Sequence, residues 1–266
     1  MGNFASEDRL AWFYFYTPDY AFWHQTLATS LSNDFHVYPI PIENFNLNEK
    51  QGHHFKGVPI KIGLVISAIQ SNLGKSIIFS DCTWSINKNN LTTFQNLVSS
   101  LDKKYDFVFA DNHNGQEVNI GLILIHCNDR TLAFWQSIRD EFLPDCWDQQ
   151  MVNQKLGLYE SAILGWNTRL HLQSLKHNSD APISWTCFPK ELVHCTYDFN
   201  ESFRSSFALF KAFIRPRDTV HNWNSRLMAV HRLGLITQRE LNDNLKPVRF
   251  ARILRVARIL RLARSL

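Results

Sequence analysis

The chain has 266 residues and is 45% hydrophobic and 13% aromatic, which excludes extensive disorder and provides material for a large packed core. Its formal charge of +4 is concentrated at one end, because six of the 28 basic residues are arginines between Arg249 and Arg264. Without these six, 22 basic residues stand against 24 acidic ones, so we expect no binding of nucleic acid through a general basic surface.

Cysteine usage and the N-terminus indicate the compartment. Five cysteines are spread along the chain without a Cys-x-x-Cys pair, which disfavours a disulfide framework and a zinc knuckle. They are Cys82, Cys127, Cys146, Cys187 and Cys195. The first residues, Met1–Arg9, lack the pattern of a secretory signal peptide, and no uncharged apolar run is long enough to span a bilayer. The sequence therefore predicts a cytoplasmic protein.

Apolar patterning predicts strands alternating with helices. The predicted strands are Leu10–Tyr16, Phe35–Ile40, Ser76–Phe79, Phe107–Ala110, Val118–His126 and Leu192–Tyr197. The predicted helices are Tyr20–Leu31, Ile60–Leu73, Leu91–Leu101, Arg130–Phe142, Trp147–Leu156, Glu201–Ile214 and Val220–Leu245. Asn44–Gly57 is polar and predicts a loop. This order predicts an α/β domain over residues 1–214, with a mostly parallel sheet flanked by helices, and a helical C-terminal region over residues 215–266.

Asp81 comes where the predicted strand Ser76–Phe79 runs out. In open α/β sheets, ligands bind beyond the carboxyl ends of the strands, where a carboxylate can hold a divalent cation or a ribose hydroxyl. The plainer interpretation is that Asp81 caps the next turn. The rest of the chain decides between these two interpretations.

Polar residues also interrupt two later elements. Asn119 and Gly121 lie within the apolar strand Val118–His126, and a glycine inside a strand often marks close approach by a ligand or another backbone. Asp148 and Gln149 begin a predicted helix, where Asp148 taken alone would be a cap.

In their order along the chain, these pieces resemble the nucleotide-diphospho-sugar transferase family of GT-A-fold glycosyltransferases. The family pattern is a Lys-bearing helix, a strand ending in Ser-Asp-x-Asp, a strand with Asn-x-Gly, a helix, and then Asp-Gln-x-x-x-Asn. The matching parts are Lys61, Ser80-Asp81-Cys82-Thr83, Asn119-Ile120-Gly121, Arg130–Phe142 and Asp148-Gln149-Gln150-Met151-Val152-Asn153. The order and spacing agree over about residues 55–155.

The resemblance implies transfer of a sugar from a nucleotide-diphosphate donor to a hydroxyl of a glycan, polysaccharide or lipid-linked acceptor. A nucleotide diphosphate is a poor leaving group unless its developing charge is neutralised, and the family uses Mn²⁺ or Mg²⁺ for this. Asp81 would meet the ribose or the metal, and His194 would be a metal ligand, unless it is simply a core or surface residue. Thr83 stands where a second motif carboxylate is expected, so we expect a weaker metal site, other ligands or no metal.

The resemblance also implies donor contacts from several parts of the chain. Thr17 and Tyr20 would hold the nucleobase, and Lys211 would contact the diphosphate. Lys61 would contact a donor phosphate or the base, the alternative being a solvated helix face. The expected donor contacts are Thr17, Tyr20, Lys61, Asp81, Thr83, Asp111, Asn119, Gly121 and Lys211.

The resemblance also implies that Asp148 and Gln149 would face the acceptor or the anomeric carbon of the donor. If the reaction inverts that carbon, Asp148 is the candidate general base. A second function remains open, because Thr83 favours a non-catalytic sugar-nucleotide or glycan-binding protein of the same fold.

The C-terminal tail, Val248–Leu266, has an arginine at every third position. On an α-helix of 3.6 residues per turn, this spacing winds the arginines around the axis. One interpretation is peripheral binding to an anionic membrane on its inner face, and the others are packing or assembly and a disordered, solvated end. The first interpretation also allows a third function, an assembly protein recruited to membranes by its tail.

Overall fold

The computed structural model describes residues 9–43, 50–51, 54–55, 57–112, 117–142, 146–158, 183–196, 208–211, 224, 227–228, 230–231, 234 and 236–245. The strands are β1 (Ala11–Tyr16), β2 (His36–Pro41), β3 (Lys50–Gln51), β4 (His54–Phe55), β5 (Ser76–Asp81), β6 (Ser85–Ile86), β7 (Phe107–Asn112), β8 (Glu117–His126), β9 (Trp185–Cys187), β10 (Val193–Thr196) and β11 (Ala208–Lys211). The helices are α1 (Ala21–Leu31), α2 (Gly57–Gln70), α3 (Leu91–Leu101), α4 (Asp129–Asp140), α5 (Asp148–Lys155) and α6 (Gln238–Asn244). The chain divides into two compact units, Met1–Phe210 and Lys211–Leu266.

Nine strands form one sheet in this part of the chain, in the order β2-β1-β5-β8-β7-β10-β11-β6, with β9 paired to β7 beside that path. β1 is parallel to β2 and β5, and β7 is parallel to β9 and β10. β8 lies between β5 and β7 and is antiparallel to both. The carboxyl ends of β1, β5, β7 and β10 therefore share one edge of the sheet. The predicted mostly parallel sheet flanked by helices is confirmed.

The apolar core lies between α2 and the middle of the sheet. Ile62, Val65 and Ile69 recur at helical spacing on α2 and belong to the same buried cluster as Ile77 and Phe79 of β5. Full burial of such a side chain contributes roughly 1.5–3 kcal/mol relative to exposure. The core thus holds α2 and β5 in a fixed relation, which positions polar side chains at their ends.

β2 is the edge strand of the described sheet. It contains two prolines, Pro39 and Pro41, which pair in register with Tyr14 and Tyr16 of β1. Proline has no N–H group and is tolerated in sheets mainly on edge strands, so these residues agree with the position of β2.

Two of the predicted element assignments need correction. Residues 208–211, inside the predicted helix Glu201–Ile214, form β11, which pairs antiparallel with β6. A short apolar run has no distinctive period, so pairing with β6 decides its structure. The predicted loop Asn44–Gly57 contains the β3–β4 pair, and α2 begins at its last residue. The sequence pattern also missed β6 and β9, which are two and three residues long.

The second unit is described chiefly through α6. Thr237 caps this helix, because its hydroxyl accepts a hydrogen bond from Glu240 N at 3.2 Å and Glu240 Oε2 accepts one from Thr237 N at 2.7 Å. This helix lies within the predicted helical segment Val220–Leu245. Within the described part of the chain, none of the helices has the length and apolar character needed to cross a bilayer. The arginine-rich segment 249–264 lies outside the described residues.

Candidate functional site

Lys61 lies between two carboxylates at the carboxyl edge of the sheet. Its Nζ is 2.9 Å from Asp81 Oδ1 and 3.7 Å from Asp148 Oδ2. The three residues come from α2, from the end of β5 and from the first residue of α5. Three elements that are distant in sequence therefore place one ammonium group and two carboxylates together, and we call this set the ionic cluster.

The members of the ionic cluster differ in exposure. The side chains of Lys61 and Asp148 are 9% and 11% accessible, whereas 32% of the Asp81 side chain is accessible. The interpretation of Lys61 as a solvated helix residue is therefore wrong. Asp81 is the member that a ligand in solution can reach.

Burial and charge shift the pKa values within this cluster. Burial raises the pKa of Asp148 above the ordinary range for aspartate, Lys61 opposes this rise, and the charge of Asp81 adds to it. Burial alone would lower the pKa of Lys61, but the two carboxylates outweigh it and the pKa is raised. Lys61 therefore remains a cation at neutral pH. Asp148 holds a proton more readily than an ordinary aspartate, so it can accept a proton or a hydrogen bond from a hydroxyl group.

Gly121 of β8 lies directly against Asp81. A Cβ atom at this position would be 2.9 Å from Asp81 Oδ2 and 2.8 Å from Asn119 Oδ1, closer than real Cβ contacts. Asn119 Oδ1 accepts a hydrogen bond from Gly121 N at 2.7 Å, and Trp84 Nε1 donates one to Gly121 O at 2.5 Å. Any larger residue here would force the side chains of Asn119 and Asp81 to move. The close approach that the sequence predicts at Gly121 is made by neighbouring side chains of the same chain.

Asn153 fixes α5, and with it Asp148, against β8. Its side-chain amide accepts a hydrogen bond from Val118 N at 2.8 Å and donates to Val118 O at 3.0 Å, as a neighbouring strand would. It also donates to Gln149 O at 2.8 Å within α5. Asn153 is fully buried, so these bonds replace all contact with water. The last Asn of the Asp-Gln-x-x-x-Asn pattern thus anchors the helix that carries Asp148.

The side chains described at this edge do not form a metal site by themselves. Among the residues that the structure describes, no three His, Cys, Asp or Glu side chains converge on a metal position. One oxygen of Asp81 contacts Lys61, and Thr83 is only 6% exposed and offers a neutral hydroxyl. Mn²⁺ and Mg²⁺ need several oxygen ligands, so the described side chains do not complete a site for either ion. The side chains of His194 and Lys211 lie outside this description.

Three of the other expected residues, Thr17, Asp111 and His194, lie at or near the carboxyl ends of β1, β7 and β10. Thr17 follows β1 two residues after Phe15, which pairs in register with Asp81. Thr17 is fully buried and its carbonyl accepts a hydrogen bond from Tyr20 N at 2.9 Å. Asp111 of β7 and His194 of β10 are direct partners in the sheet register. The structure thus brings Lys61, Asp81, Asn119, Gly121 and Asp148 together, with Thr17, Asp111 and His194 at or near the ends of other strands of the same edge.

Sequence reasoning missed an aromatic pair beside Thr17. The rings of Tyr16 and His24 stack with centroids 3.8 Å apart and an interplanar angle of 2°. The hydroxyl of the buried Tyr14 lies 2.9 Å from His24 Nδ1, and burial lowers the pKa of His24. The sequence shows five consecutive aromatic residues in β1, Trp12–Tyr16, but only the fold shows which of them meets α1.

The described strand order, with one antiparallel strand between parallel ones and polar groups at the carboxyl edge, defines a GT-A-like α/β fold. The glycosyltransferase involved in the glycosylation of the major capsid of PBCV-1 is similar over 86% of this chain and 100% of its own, with a TM-score of 0.51 and 9% identity. The apo-form glycosyltransferase GlyE of Streptococcus pneumoniae TIGR4 is similar over 91% of this chain, with a TM-score of 0.50 and 11% identity.

The chain spans 66% of the GlyE chain that it matches. No protein-family model and no curated protein matches the sequence. At such low identities, the likeness to solved structures shows the fold alone. The predicted GT-A-like fold is confirmed, and the activity is a separate question.

Proposed function

We propose that the protein is a glycosyltransferase that moves a sugar from a nucleotide-diphosphate donor to an acceptor hydroxyl. The observation that carries this proposal is the ionic cluster of Lys61, Asp81 and Asp148 at the carboxyl edge of a GT-A-like sheet. This edge is where open α/β sheets bind ligands. A buried ammonium group there can meet a phosphate, while an accessible carboxylate can meet a ribose hydroxyl or a cation.

The donor is proposed to lie across the ends of β1, β5 and β7. Asp81 would contact the ribose or a cation, and Lys61 would contact a phosphate. Thr17 and Tyr20 would contact the base. The other proposed donor contacts are Thr83, Asp111, Asn119, Gly121 and Lys211.

Asp148 and Gln149 are proposed to face the sugar and the acceptor. Asp148 Oδ2 contacts Lys61 at 3.7 Å, and Oδ1 accepts a hydrogen bond from Gln149 N at 3.0 Å. These contacts fix the orientation of a carboxylate whose pKa is already raised by burial. If the reaction inverts the anomeric carbon, Asp148 is the group proposed to take the acceptor proton.

We propose Mn²⁺ or Mg²⁺ as the cofactor, with Asp81 and His194 as its protein ligands. Such an ion would neutralise charge on the diphosphate. Because Thr83 replaces a carboxylate, we expect the free protein to bind the ion weakly.

A screen of donor hydrolysis with UDP- and GDP-sugars, with and without Mn²⁺, tests the proposal. We expect turnover of one donor by the wild type and strong loss of turnover in Asp81→Asn. Asp34→Asn is a matched control, because Asp34 is 25% exposed and also lies near a lysine, Lys88, at 3.7 Å. Absence of both nucleotide binding and turnover in the wild type would refute the proposed function. Unchanged donor binding and turnover in Asp81→Asn would refute only the assignment of Asp81.

A second candidate function is a non-catalytic sugar-nucleotide or glycan-binding protein. The buried Thr83 favours it, because the described part of the site lacks the second motif carboxylate. This candidate predicts nucleotide binding without turnover and without tightening by Mn²⁺. Binding that tightens with Mn²⁺ argues against it.

The tail over residues 249–264 is proposed to hold the protein on an anionic membrane surface, so that it works at the inner face of a membrane on a glycan or lipid-linked acceptor. The supporting observation is its six arginines, each worth roughly 1 kcal/mol near anionic lipid. The assembly alternative predicts that loss of residues 247–266 abolishes function while Asp81 variants keep it.

A further inference from the structure

The turn that follows β5 is unusually well buried for a surface connection. Cys82 and Thr83 are each 6% exposed, Trp84 is 1% exposed, and Ser85 is 4% exposed. Turns that join sheet elements are ordinarily on the surface. This one leads from Asp81 into the interior and ends at a large indole ring.

The indole of Trp84 meets an irregular stretch of β8. Between two neighbouring register pairs, Phe109↔Ile123 and Ala110↔Asn119, β7 advances by one residue while β8 advances by four. This bulge contains Gly121 and interrupts the hydrogen bonds between the two strands there. The indole N–H of Trp84 donates to Gly121 O at 2.5 Å and so satisfies a buried carbonyl group of the bulge.

The same glycine borders the carboxylate of Asp81. The position of its missing Cβ is 2.9 Å from Asp81 Oδ2 and 3.3 Å from Trp84 Nε1. The other oxygen of Asp81 accepts the hydrogen bond from Lys61. The carboxylate is therefore held between Lys61 on one side and the bulge on the other. A shift of the bulge would therefore change the space available to the Asp81 carboxylate.

We propose that Trp84 is a positioning residue for the donor site, which holds the β8 bulge against Asp81 and so fixes the orientation of that carboxylate for a nucleotide diphosphate. This inference rests on the proposed function. The orientation of the Asp81 carboxylate matters more than in a motif with two carboxylates, because Thr83 provides no second charge. A merely structural tryptophan would stabilise the fold without changing the affinity of the folded protein for nucleotide.

The test compares Trp84→Phe with Trp135→Phe in titration calorimetry of the full chain with UDP and GDP, with the folded fraction measured by circular dichroism. Trp135 is a matched control because it is fully buried and its Nε1 has no hydrogen-bond partner in the described structure. Loss of one well-placed hydrogen bond predicts roughly 3- to 10-fold weaker nucleotide binding in Trp84→Phe. Trp135→Phe should bind as the wild type does.

Equal affinity in wild type and Trp84→Phe would overturn the inference and leave the proposed function intact. Failure of the wild type to bind either nucleotide would overturn both. If Trp84→Phe does not fold, amide hydrogen exchange of the wild type replaces the mutant comparison. UDP or GDP should then slow exchange at residues 81–85 and 119–122, and unchanged exchange in both segments would overturn the inference.

Discussion

Lys61 Nζ lies 2.9 Å from Asp81 Oδ1, in an ion pair that joins helix α2 to the end of strand β5 across 20 positions of sequence. Asp148 makes the second contact of the same ammonium group, at 3.7 Å. A single buried cation thus compensates two carboxylates. Removal of the cation would leave both carboxylates without compensation, and Asp148 would then be an unpaired buried carboxylate.

Lys61→Met should destabilise the fold and abolish nucleotide binding. Breaking a fully buried ion pair costs roughly 3–5 kcal/mol, and the partial exposure of Asp81 reduces this to about 2–4 kcal/mol. Urea denaturation measures the first effect, and calorimetric titration with UDP and GDP measures the second. Lys155→Met is the control, because Lys155 pairs with the exposed Glu141 at 2.8 Å and its loss should cost less than about 1 kcal/mol. Equal effects of the two substitutions would contradict the importance of the buried pair.

Gly121→Ala should disturb Asp81 directly. The new methyl group would lie 2.8 Å from Asn119 Oδ1 and 2.9 Å from Asp81 Oδ2, which requires both side chains to move. We expect a loss of about 1–3 kcal/mol in the free energy of unfolding and weaker donor binding.

Gly63→Ala is the matched control for this substitution. Gly63 lies inside α2, and a Cβ atom there would meet nothing within 4 Å. Alanine favours a helix over glycine by roughly 0.5–1 kcal/mol, so this variant should be slightly more stable than the wild type. Thermal unfolding should show a lower melting temperature for Gly121→Ala and a slightly higher one for Gly63→Ala. A Gly121→Ala variant with the melting temperature of the wild type would contradict the packing described for Asp81.

Asn153→Asp should loosen α5. A carboxylate cannot donate to Val118 O or to Gln149 O, and it would bring a charge into a fully buried position. We expect a loss of about 2–4 kcal/mol in the free energy of unfolding. Asn72→Asp removes one comparable bond, to Ala68 O at 2.8 Å, near the surface and should cost less than about 1 kcal/mol. Similar melting temperatures for the two variants would show that Asn153 is not an anchor.

Asp106 should make stability depend on acid pH. It is 1% exposed, and burial alone would raise its pKa. Hydrogen bonds from Arg130 at 2.7 Å, Asn128 at 2.9 Å and Ser184 N at 2.9 Å outweigh burial and hold the pKa below its usual range. The resulting stability is present above the unfolded pKa of about 3.9 and is lost as the pH falls through the folded value.

Urea denaturation at pH 6 and pH 3 tests this prediction. Asp106→Asn should be less stable than the wild type by about 2–3 kcal/mol at pH 6, and the difference should shrink at pH 3. Asp140→Asn is the control, because Asp140 is 63% exposed and pairs with an arginine that is itself 53% exposed. A difference between wild type and Asp106→Asn that stays constant with pH would contradict the assignment.

Deletion of residues 247–266 should remove membrane binding and leave nucleotide binding unchanged. The tail contains six of the 28 basic residues of the chain, and the attraction of each arginine to anionic lipid adds to that of the others. Co-sedimentation with vesicles rich in phosphatidylserine at low salt measures the effect. If the full chain and the truncated chain both stay in the supernatant, the membrane proposal fails.

The sequence could predict the order of the larger elements and the set of residues that meets at the sheet edge. An apolar run such as Ile77–Phe79 indicates a buried strand, and Asp81 stands out because only Ser80 separates it from that run. The sequence could not predict that Lys61 is buried, since a lysine on a helix is usually solvated. That outcome depends on two carboxylates that arrive from other elements.

Tertiary pairing also explains the remaining failures. Residues 208–210 are apolar and compatible with a helix, but pairing with β6 makes the segment 208–211 a strand. The sequence does not distinguish Trp84 from a tryptophan of the apolar core. The relation of Trp84 to Gly121 exists only because β8 bulges at that glycine.

The two prolines of β2 have a consequence for self-association. His36 N donates to Leu10 O at 3.1 Å and Ile42 N donates to Tyr16 O at 2.9 Å, so the even-numbered amides of this strand face β1. The odd-numbered positions face outward, and two of them, Pro39 and Pro41, have no N–H group to offer to another strand. A second chain therefore finds few hydrogen-bond donors along this edge, which protects the sheet from growth into edge-to-edge aggregates.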